Sequence, residues 1–366
     1  MRFSEFVEEW KRLTIGNILT IGSGRDYKHL SAGIIPVYGT GGYMISVSAY
    51  LHDGESVCIG RKGTINKPLY LNEKFWTVDT LFYTHSFKKV LPKFVYNIFE
   101  QVNWLKYNEA SGVPSLSKTI IEQIEVNIPE INEQQKIASF LSLIDERIQT
   151  QNKIIEELKR LKVSLMQKIF SLQFRFKDEN GSDFPDWEEK TLEEVVEFRN
   201  GKAHENDIDE NGKYIVVNSK FISQNGNIRK YSNECNMPLY KDEIVMVMSD
   251  VPNGKALAKC FLINKNDKYT LNQRICALKA VSCHNPFLYY LINRNEYYLA
   301  FDSGVGQTNL KKDEVLSCPL IVPSSIIEQM KIAGFLSQID EKIKVEQQLL
   351  NQYETQKKHL LKEMFV

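Results

Sequence analysis

Glu133-Gln-Gln-Lys-Ile-Ala-Ser-Phe-Leu-Ser-Leu-Ile-Asp-Glu-Arg-Ile148 returns 195 positions later as Glu328-Gln-Met-Lys-Ile-Ala-Gly-Phe-Leu-Ser-Gln-Ile-Asp-Glu-Lys-Ile343, identical at 12 of 16 places. The register continues past the motif. Ile144/Ile339, Ile148/Ile343, Ile155/Leu350, Leu158/Tyr353, Leu165/Leu360, Ile169/Met364 and Phe170/Phe365 all correspond. Apolar positions three and four apart, with Glu, Lys, Gln and Arg between them, mark one face of an amphipathic helix. Pro129 and Pro323 stand just upstream, where an extended segment hands over to a helix. A helix from about residue 131 to 171 spans roughly 60 Å at ~1.5 Å per residue. It cannot bury such a stripe against itself, so the two copies are expected to pair as a coiled coil. A pseudo-two-fold relation between the halves sets them antiparallel.

Weaker correspondences extend the duplication upstream. Leu91-Pro-Lys-Phe-Val-Tyr-Asn-Ile98 matches Asn285-Pro-Phe-Leu-Tyr-Tyr-Leu-Ile292, each a proline-started helix. Ser111-Gly-Val113 matches Ser303-Gly-Val305, and Trp10 and Trp187 open the two halves in similar contexts. Between these landmarks the sequences diverge. Val57–Gly60, Leu81–Thr84, Tyr214–Val217, Glu243–Met248 and Arg274–Leu278 are short apolar runs bounded by Gly and Asn turns, and they read as strands. The fold class is therefore α+β, a tandem duplication of a β-rich domain followed by a long helix. The expected boundaries are a first variable domain at 1–128, a central helical repeat at 129–175, a second variable domain at 176–322 and a C-terminal helical repeat at 323–366. Phe176–Pro185 has the polar, turn-rich composition of a connector.

Composition narrows the function classes. The 366 residues hold 46 basic and 46 acidic side chains, which argues against wrapping nucleic acid by electrostatics alone. No apolar run approaches the roughly 18–20 residues that span a bilayer, and the N-terminus lacks a secretory signal, so a cytoplasmic location is expected. Six scattered cysteines form no C-x-x-C pair and read as small buried hydrophobes; no metal site is expected. There is no G-x-x-x-x-G-K-[ST] loop, and Gly39-Thr-Gly-Gly42 lacks dinucleotide-binding spacing. Asn285-Pro-Phe287 lacks the second proline of a base-holding methyltransferase motif. Pro185-Asp-Trp-Glu-Glu-Lys190 is too compressed to set two nuclease carboxylates around Mg²⁺. No catalytic residue is assigned.

Several loops carry side chains suited to base edges and phosphates. In the first half these are Tyr38, Thr40 and Tyr43, then Arg61, Lys62, Thr64, Asn66 and Lys67. In the second they are Asn225, Asn227, Arg229 and Lys230, then Lys255, then Asn272, Gln273 and Arg274, and finally Gln307 and Thr308. Asn-Gly and Lys-Gly also satisfy ordinary turn chemistry, so the turn reading stands beside the recognition reading. The stretch Arg61–Lys67, with three basic groups in seven residues, points most directly to nucleic acid.

The doubled Glu-Gln-x-Lys-Ile-Ala-x-Phe-Leu-Ser-x-Ile-Asp-Glu motif, its long helices and its Ile-Pro or Val-Pro entry resemble the specificity (S) subunit of type I restriction–modification enzymes. Pro36–Gly42, Ile59–Ile65 and Phe75–Thr80 are similar to one class of that family's target recognition domains. The resemblance spans essentially the whole chain. It implies two target recognition domains reading the halves of an asymmetric bipartite duplex, with the long helices forming an antiparallel coiled-coil spacer. It also implies partners: double-stranded DNA, two methyltransferase (M) subunits that bind S-adenosylmethionine, and restriction (R) subunits that use ATP and Mg²⁺, with no cofactor in this chain. Two other classes stay open on the residues alone: a coiled-coil scaffold that binds proteins and no DNA, and a stand-alone DNA methyltransferase or nuclease with an unrecognised site.

Overall fold

The periodicity that predicts two long helices is realised. Helices run over Ile131–Phe170 and Ile326–Met364 in the computed structural model, which describes residues 2–204 and 206–365. The chain divides into two compact units, Met1–Ile155 with Val345–Val366, and Glu156–Lys344. Each long helix is thus shared between the units, with its first part in one and its last part in the other.

In the first unit the elements are β1 (Lys11–Thr14), α1 (Ile15–Ile18), β2 (Thr20–Ser23), β3 (Ala32–Gly39), β4 (Gly42–Val47), β5 (His52–Gly60), β6 (Leu69–Thr77), β7 (Leu81–His85), α2 (Pro92–Gln101), α3 (Lys118–Gln123), β8 (Glu125–Ile128) and the start of α4 (Ile131–Phe170). Six strands form one sheet in the order β2-β7-β5-β6-β3-β4, and β1 pairs with β8 beside the start of α4. In the second unit they are β9 (Trp187–Thr191), β10 (Val196–Asn200), β11 (Tyr214–Val217), α5 (Ser219–Ser223), β12 (Tyr231–Ser232), β13 (Ile244–Val247), β14 (Ser249–Asp250), β15 (Cys260–Leu262), β16 (Tyr269–Leu271), β17 (Ile275–Ala280), α6 (Asn285–Ile292), α7 (Glu296–Leu299), β18 (Thr308–Asn309), α8 (Lys312–Leu316), β19 (Pro319–Pro323) and α9 (Ile326–Met364). Here the sheets run β10-β17-β13-β15 and β16-β11-β12. That is the first unit's order with its long β6 broken into β15 and β16. The parallel pairing of β3 with β6 recurs as that of β11 with β16, and β1–β8 recurs as β9–β19.

The Glu-Gln pair that opens each repeat has a specific task. Glu133 and Glu328 are 2% and 0% exposed. Arg2 grips Glu133 through Nε–Oε1 at 2.6 Å, and Arg175 grips Glu328 through Nη2–Oε2 at 3.0 Å. Gln134 accepts from Leu91 N at 2.9 Å and donates to Pro129 O at 2.8 Å. Gln329 accepts from His284 N at 2.8 Å and donates to Pro323 O at 2.7 Å. Leu91 and His284 are the N-caps of α2 and α6. An amide with both a donor and an acceptor can join those two backbone groups; a carboxylate or ammonium lacks one of the two roles.

Arg175 also donates to Phe184 O and Pro185 O, tying the connector to α9. Replacing Arg175 with Met is expected to cost about 3–5 kcal/mol, because Glu328 then stays buried without its cation. Urea denaturation near pH 7 checks this, and a loss under about 1 kcal/mol, typical of an exposed pair, would contradict it.

The twelve seam positions are all covered. Ile144, Ile155, Ile169, Ile343, Leu360 and Met364 are buried, and Ile148, Leu158, Leu165, Ile339, Leu350 and Tyr353 are half-buried. The helix pairing within each unit is antiparallel. In the first, Asp145 and Gln151 of α4 meet Lys357 and Glu346 of α9; in the second, Lys162 of α4 meets Asp340 of α9. The last turns enter the cores. Phe365 stacks on Phe94 with centroids 5.1 Å apart, and Phe170 meets Phe287 edge-on at 6.0 Å. The stripe is not wholly apolar: Gln151, Glu346 and Lys357 are buried in it, whereas Leu161 and Val163 face solvent.

Candidate nucleic-acid interface

In the first unit, four chain segments converge on one end of the sheet. Gly39 pairs with Gly42, so Thr40 and Gly41 form the tip of the β3–β4 hairpin. A Cβ added at Gly63 would lie 3.7 Å from Thr40 Oγ1, which puts that tip against the loop leaving β5. Gly63 has φ of +94°, a left-handed conformation that favours glycine. Arg61 N donates to Thr80 O at 2.8 Å, and Leu116 N donates to Arg61 O at 2.9 Å. Gly63 N donates to Pro114 O, and Lys62 bridges to Ser115. The hairpin tip, the β5–β6 loop, the β6–β7 turn and the segment after Ser111-Gly-Val113 therefore share one edge.

The candidate side chains on that edge differ in freedom. Arg61, Lys62, Asn66 and Lys67 are exposed, and Thr40 and Thr64 are half-covered. The Arg61 guanidinium lies 6.0 Å from the Phe82 ring centroid, and Nη1 is 3.5 Å from Asp79 O. Tyr38 is committed elsewhere: its hydroxyl donates to Glu73 at 2.7 Å, and burial together with that carboxylate pushes its pKa up to about 12. Tyr43 is 62% exposed and continues into Met44 and Ile45, at 51% and 45%. On edge strand β4 they add an apolar surface that a reading confined to polar side chains misses.

The second unit repeats the scaffold with other residues. Met248 N donates to Arg274 O at 3.0 Å and Leu310 N donates to Met248 O at 2.7 Å, the same pair of bonds that Arg61 makes with Thr80 and Leu116. Asn272 N donates to Val217 O, as Val78 N does to Tyr38 O. The short Gly39–Gly42 turn thus corresponds to the longer stretch of residues 218–230, which holds Asn225, Asn227, Arg229 and Lys230. Asn225 sits at φ of +49° and Arg274 at +65°, so both also serve their turns. Arg229 donates through Nε to Gly226 O at 2.9 Å. Lys255 projects from a loop ordered by Asp250, which accepts from Ala256 N at 2.6 Å and Leu257 N at 3.0 Å. Gln307 donates to Ser249 Oγ at 2.6 Å, and Thr308 bonds Asp302 Oδ1 at 3.3 Å. Gln273 and Arg274 are exposed beside them, and Asn272 is half-covered.

Two organising residues escaped the sequence reading. Asn108 Oδ1 accepts from Ala110 N at 3.1 Å and Ser115 N at 2.9 Å; Asp302 Oδ1 accepts from Gly304 N at 2.9 Å. Each precedes its leucine, Leu116 or Leu310, by eight residues, but the Ser-Gly-Val matches stand at a different spacing from those leucines, so that alignment does not bring Asn108 and Asp302 together.

Each edge combines cations for phosphates and guanine with amides for adenine. Among the described residues no cluster of His, Cys, Asp or Glu could hold a metal ion, and no helix is long and apolar enough to cross a membrane.

Known proteins share this plan. The family described as Type I restriction modification DNA specificity domain matches residues 7–160 and 185–355, one match per half. A type I restriction enzyme specificity subunit, MjaVIII, of Methanocaldococcus jannaschii is 26% identical over 340 residues, covering 85% of this chain and 76% of that protein. The crystal structure of a type I restriction–modification S subunit from M. genitalium superposes with a TM-score of 0.65 at 18% identity, covering 100% of this chain and 98% of that one. A chain from a structure concerned with complex assembly and conformational transition of the type I R-M system gives 0.54 at 12% identity, over 99% of each. With the family's domain matched in both halves, the chain belongs to the type I restriction–modification specificity subunits and carries two recognition domains.

Proposed function

We propose that each recognition edge reads one half of an asymmetric, bipartite duplex target, and that this chain performs no chemistry itself. The carrying observation is the repetition of one scaffold with different side chains on its edge. Arg61 and Lys62 occupy in the first unit the places that Met248 and Ser249 occupy in the second. Equal scaffolds with unequal edges suit two different half-sites. The candidate contacts are the exposed members of the two sets, with Arg61, Lys62 and Lys67 on one edge and Lys255, Gln273 and Arg274 on the other.

In this reading the long helices hold the domains at a fixed spacing and dock two methyltransferase subunits. Those subunits bring S-adenosylmethionine; restriction subunits joining the full complex bring ATP and Mg²⁺. A balanced net charge accords with partners that supply part of the phosphate-binding surface. The likeness to a chain from a type I R-M complex assembly supports a multisubunit setting.

The test is a pair of variants, each co-expressed with the methyltransferase subunit and followed by mapping of methylated sites. Arg61→Ala is expected to weaken or relax one half-site by about 1–3 kcal/mol, and Arg274→Ala the other half-site by a similar amount. Equal losses at both half-sites from either variant would assign these arginines a structural role and remove the support for one domain per half-site.

A further inference from the structure

We propose that Lys162 and Lys357 are positioning residues that lock each recognition domain to one place on the helical spacer, and thereby hold the unspecified DNA between the half-sites to a single length. The inference rests on the bipartite reading above. Its observation is a polar cluster that occurs once in each unit, built from corresponding residues of the repeat. In the first unit Lys357 Nζ lies 2.5 Å from Asp145 Oδ1, 2.6 Å from Glu100 Oε2 and 5.3 Å from the Tyr96 ring centroid. In the second, Lys162 Nζ lies 2.6 Å from Asp340 Oδ1 and 4.9 Å from the Tyr290 centroid, while Tyr290 donates its hydroxyl to Asp340 Oδ2 at 2.8 Å. Lys162 and Lys357 are 195 positions apart, as are Asp145 and Asp340; Tyr96 and Tyr290 are 194 apart.

Each cluster joins three pieces of chain. The tyrosine belongs to a recognition-domain helix, α2 or α6. The aspartate belongs to the long helix that follows that domain, and the lysine comes from the long helix of the other repeat. The domain, its own spacer helix and the opposing spacer helix therefore meet at one ammonium group. An apolar seam alone tolerates slippage, because the side chains one turn along are also apolar. A partly desolvated ion pair resists it: Lys357 is buried and Lys162 half-buried, and a shift of one turn, ~5.4 Å, parts each ammonium from its carboxylate partners. A single polar position that fixes coiled-coil register is the best-attested use of such groups.

The experiment uses the full chain co-expressed with the methyltransferase subunit, with methylated sites mapped across a genome. Lys162→Met is expected to leave both half-site sequences unchanged. Sites whose spacer is about one or two base pairs longer or shorter should gain methylation about tenfold, the ratio given by roughly 1.4 kcal/mol of lost register preference. Exchanging the pair, Lys162→Asp with Asp340→Lys, should restore the single spacer. A folded Lys162→Met chain that keeps the wild-type spacer overturns the proposal. If Lys162→Met does not assemble, the exchange variant decides: a single spacer supports the positioning role, and a relaxed one rejects it. Failure of the unaltered chain to direct bipartite methylation would instead strike the reading on which the proposal rests.

Discussion

Lys357→Met is expected to lower the stability of the chain by about 3 kcal/mol near neutral pH, the cost of leaving two half-buried carboxylates without their buried cation. Lys357 is 8% exposed and serves both Glu100 and Asp145. Burial is the largest influence on Glu100 and pushes its pKa up; Lys357 pulls it down, and Asp145 pushes it up again. The sign of the pH dependence follows. A carboxyl whose folded pKa is raised contributes stability that is fully present below its unfolded value and is lost as pH rises through the folded value. Lys357 offsets part of that loss in the native chain. Without it the two carboxylates face each other, so the penalty is greatest at pH 7 and above. It shrinks as pH falls toward 4.5, the ordinary value for glutamate. Urea denaturation of both proteins at pH 7.5 and 4.5 measures this, and the gap at the lower pH should be less than about half that at the higher. A gap indifferent to pH would mean that Lys357 acts by packing its stem and not by its charge.

Inserting four residues into both long helices, between Ile155 and Glu156 and between Lys344 and Val345, is expected to lengthen the unspecified spacer of the target and leave both half-sites unchanged. These points lie where the two compact units divide the helices, so neither polar cluster is cut. Inserting in both helices preserves the antiparallel register within each unit; inserting in one would set Gln151 against the wrong partner in place of Glu346. Four residues add ~6 Å of helix, equivalent to about one or two base pairs at ~3.4 Å each. Methylated-site mapping reads the new spacer directly. An unchanged spacer, or altered half-site sequences, would contradict the account of the helices as a measuring rod.

The long helices were legible because their information is local: apolar spacing, a proline before each start and a repeated register suffice. The identity of strand order in the two units was not. Strand pairing joins residues far apart in sequence, and the two domains share few side chains. The equivalence of Arg61 with Met248 exists only in the backbone bonds to Thr80 and Arg274 and to Leu116 and Leu310. The break of β6 into β15 and β16 further hides the alignment. Lys162 and Lys357 were equally silent, since a lysine among Glu, Gln and Lys in a helix reads as part of a solvated face. The recognition loops were visible in part. Arg61–Lys67 stood out by charge, whereas Asn225 and Arg274 occupy left-handed turn positions, so their residue types answer to the backbone as well as to any ligand.

The most direct test of the central claim is to express the unaltered chain with the proposed methyltransferase partner in a host lacking other such systems and map every methylated base. Two recognition edges of different composition on one spacer predict a single motif with two unlike specific halves, separated by a fixed number of unspecified base pairs. A continuous motif, a palindromic pair of halves, or DNA binding without sequence preference would contradict the assignment of one recognition domain to each half-site.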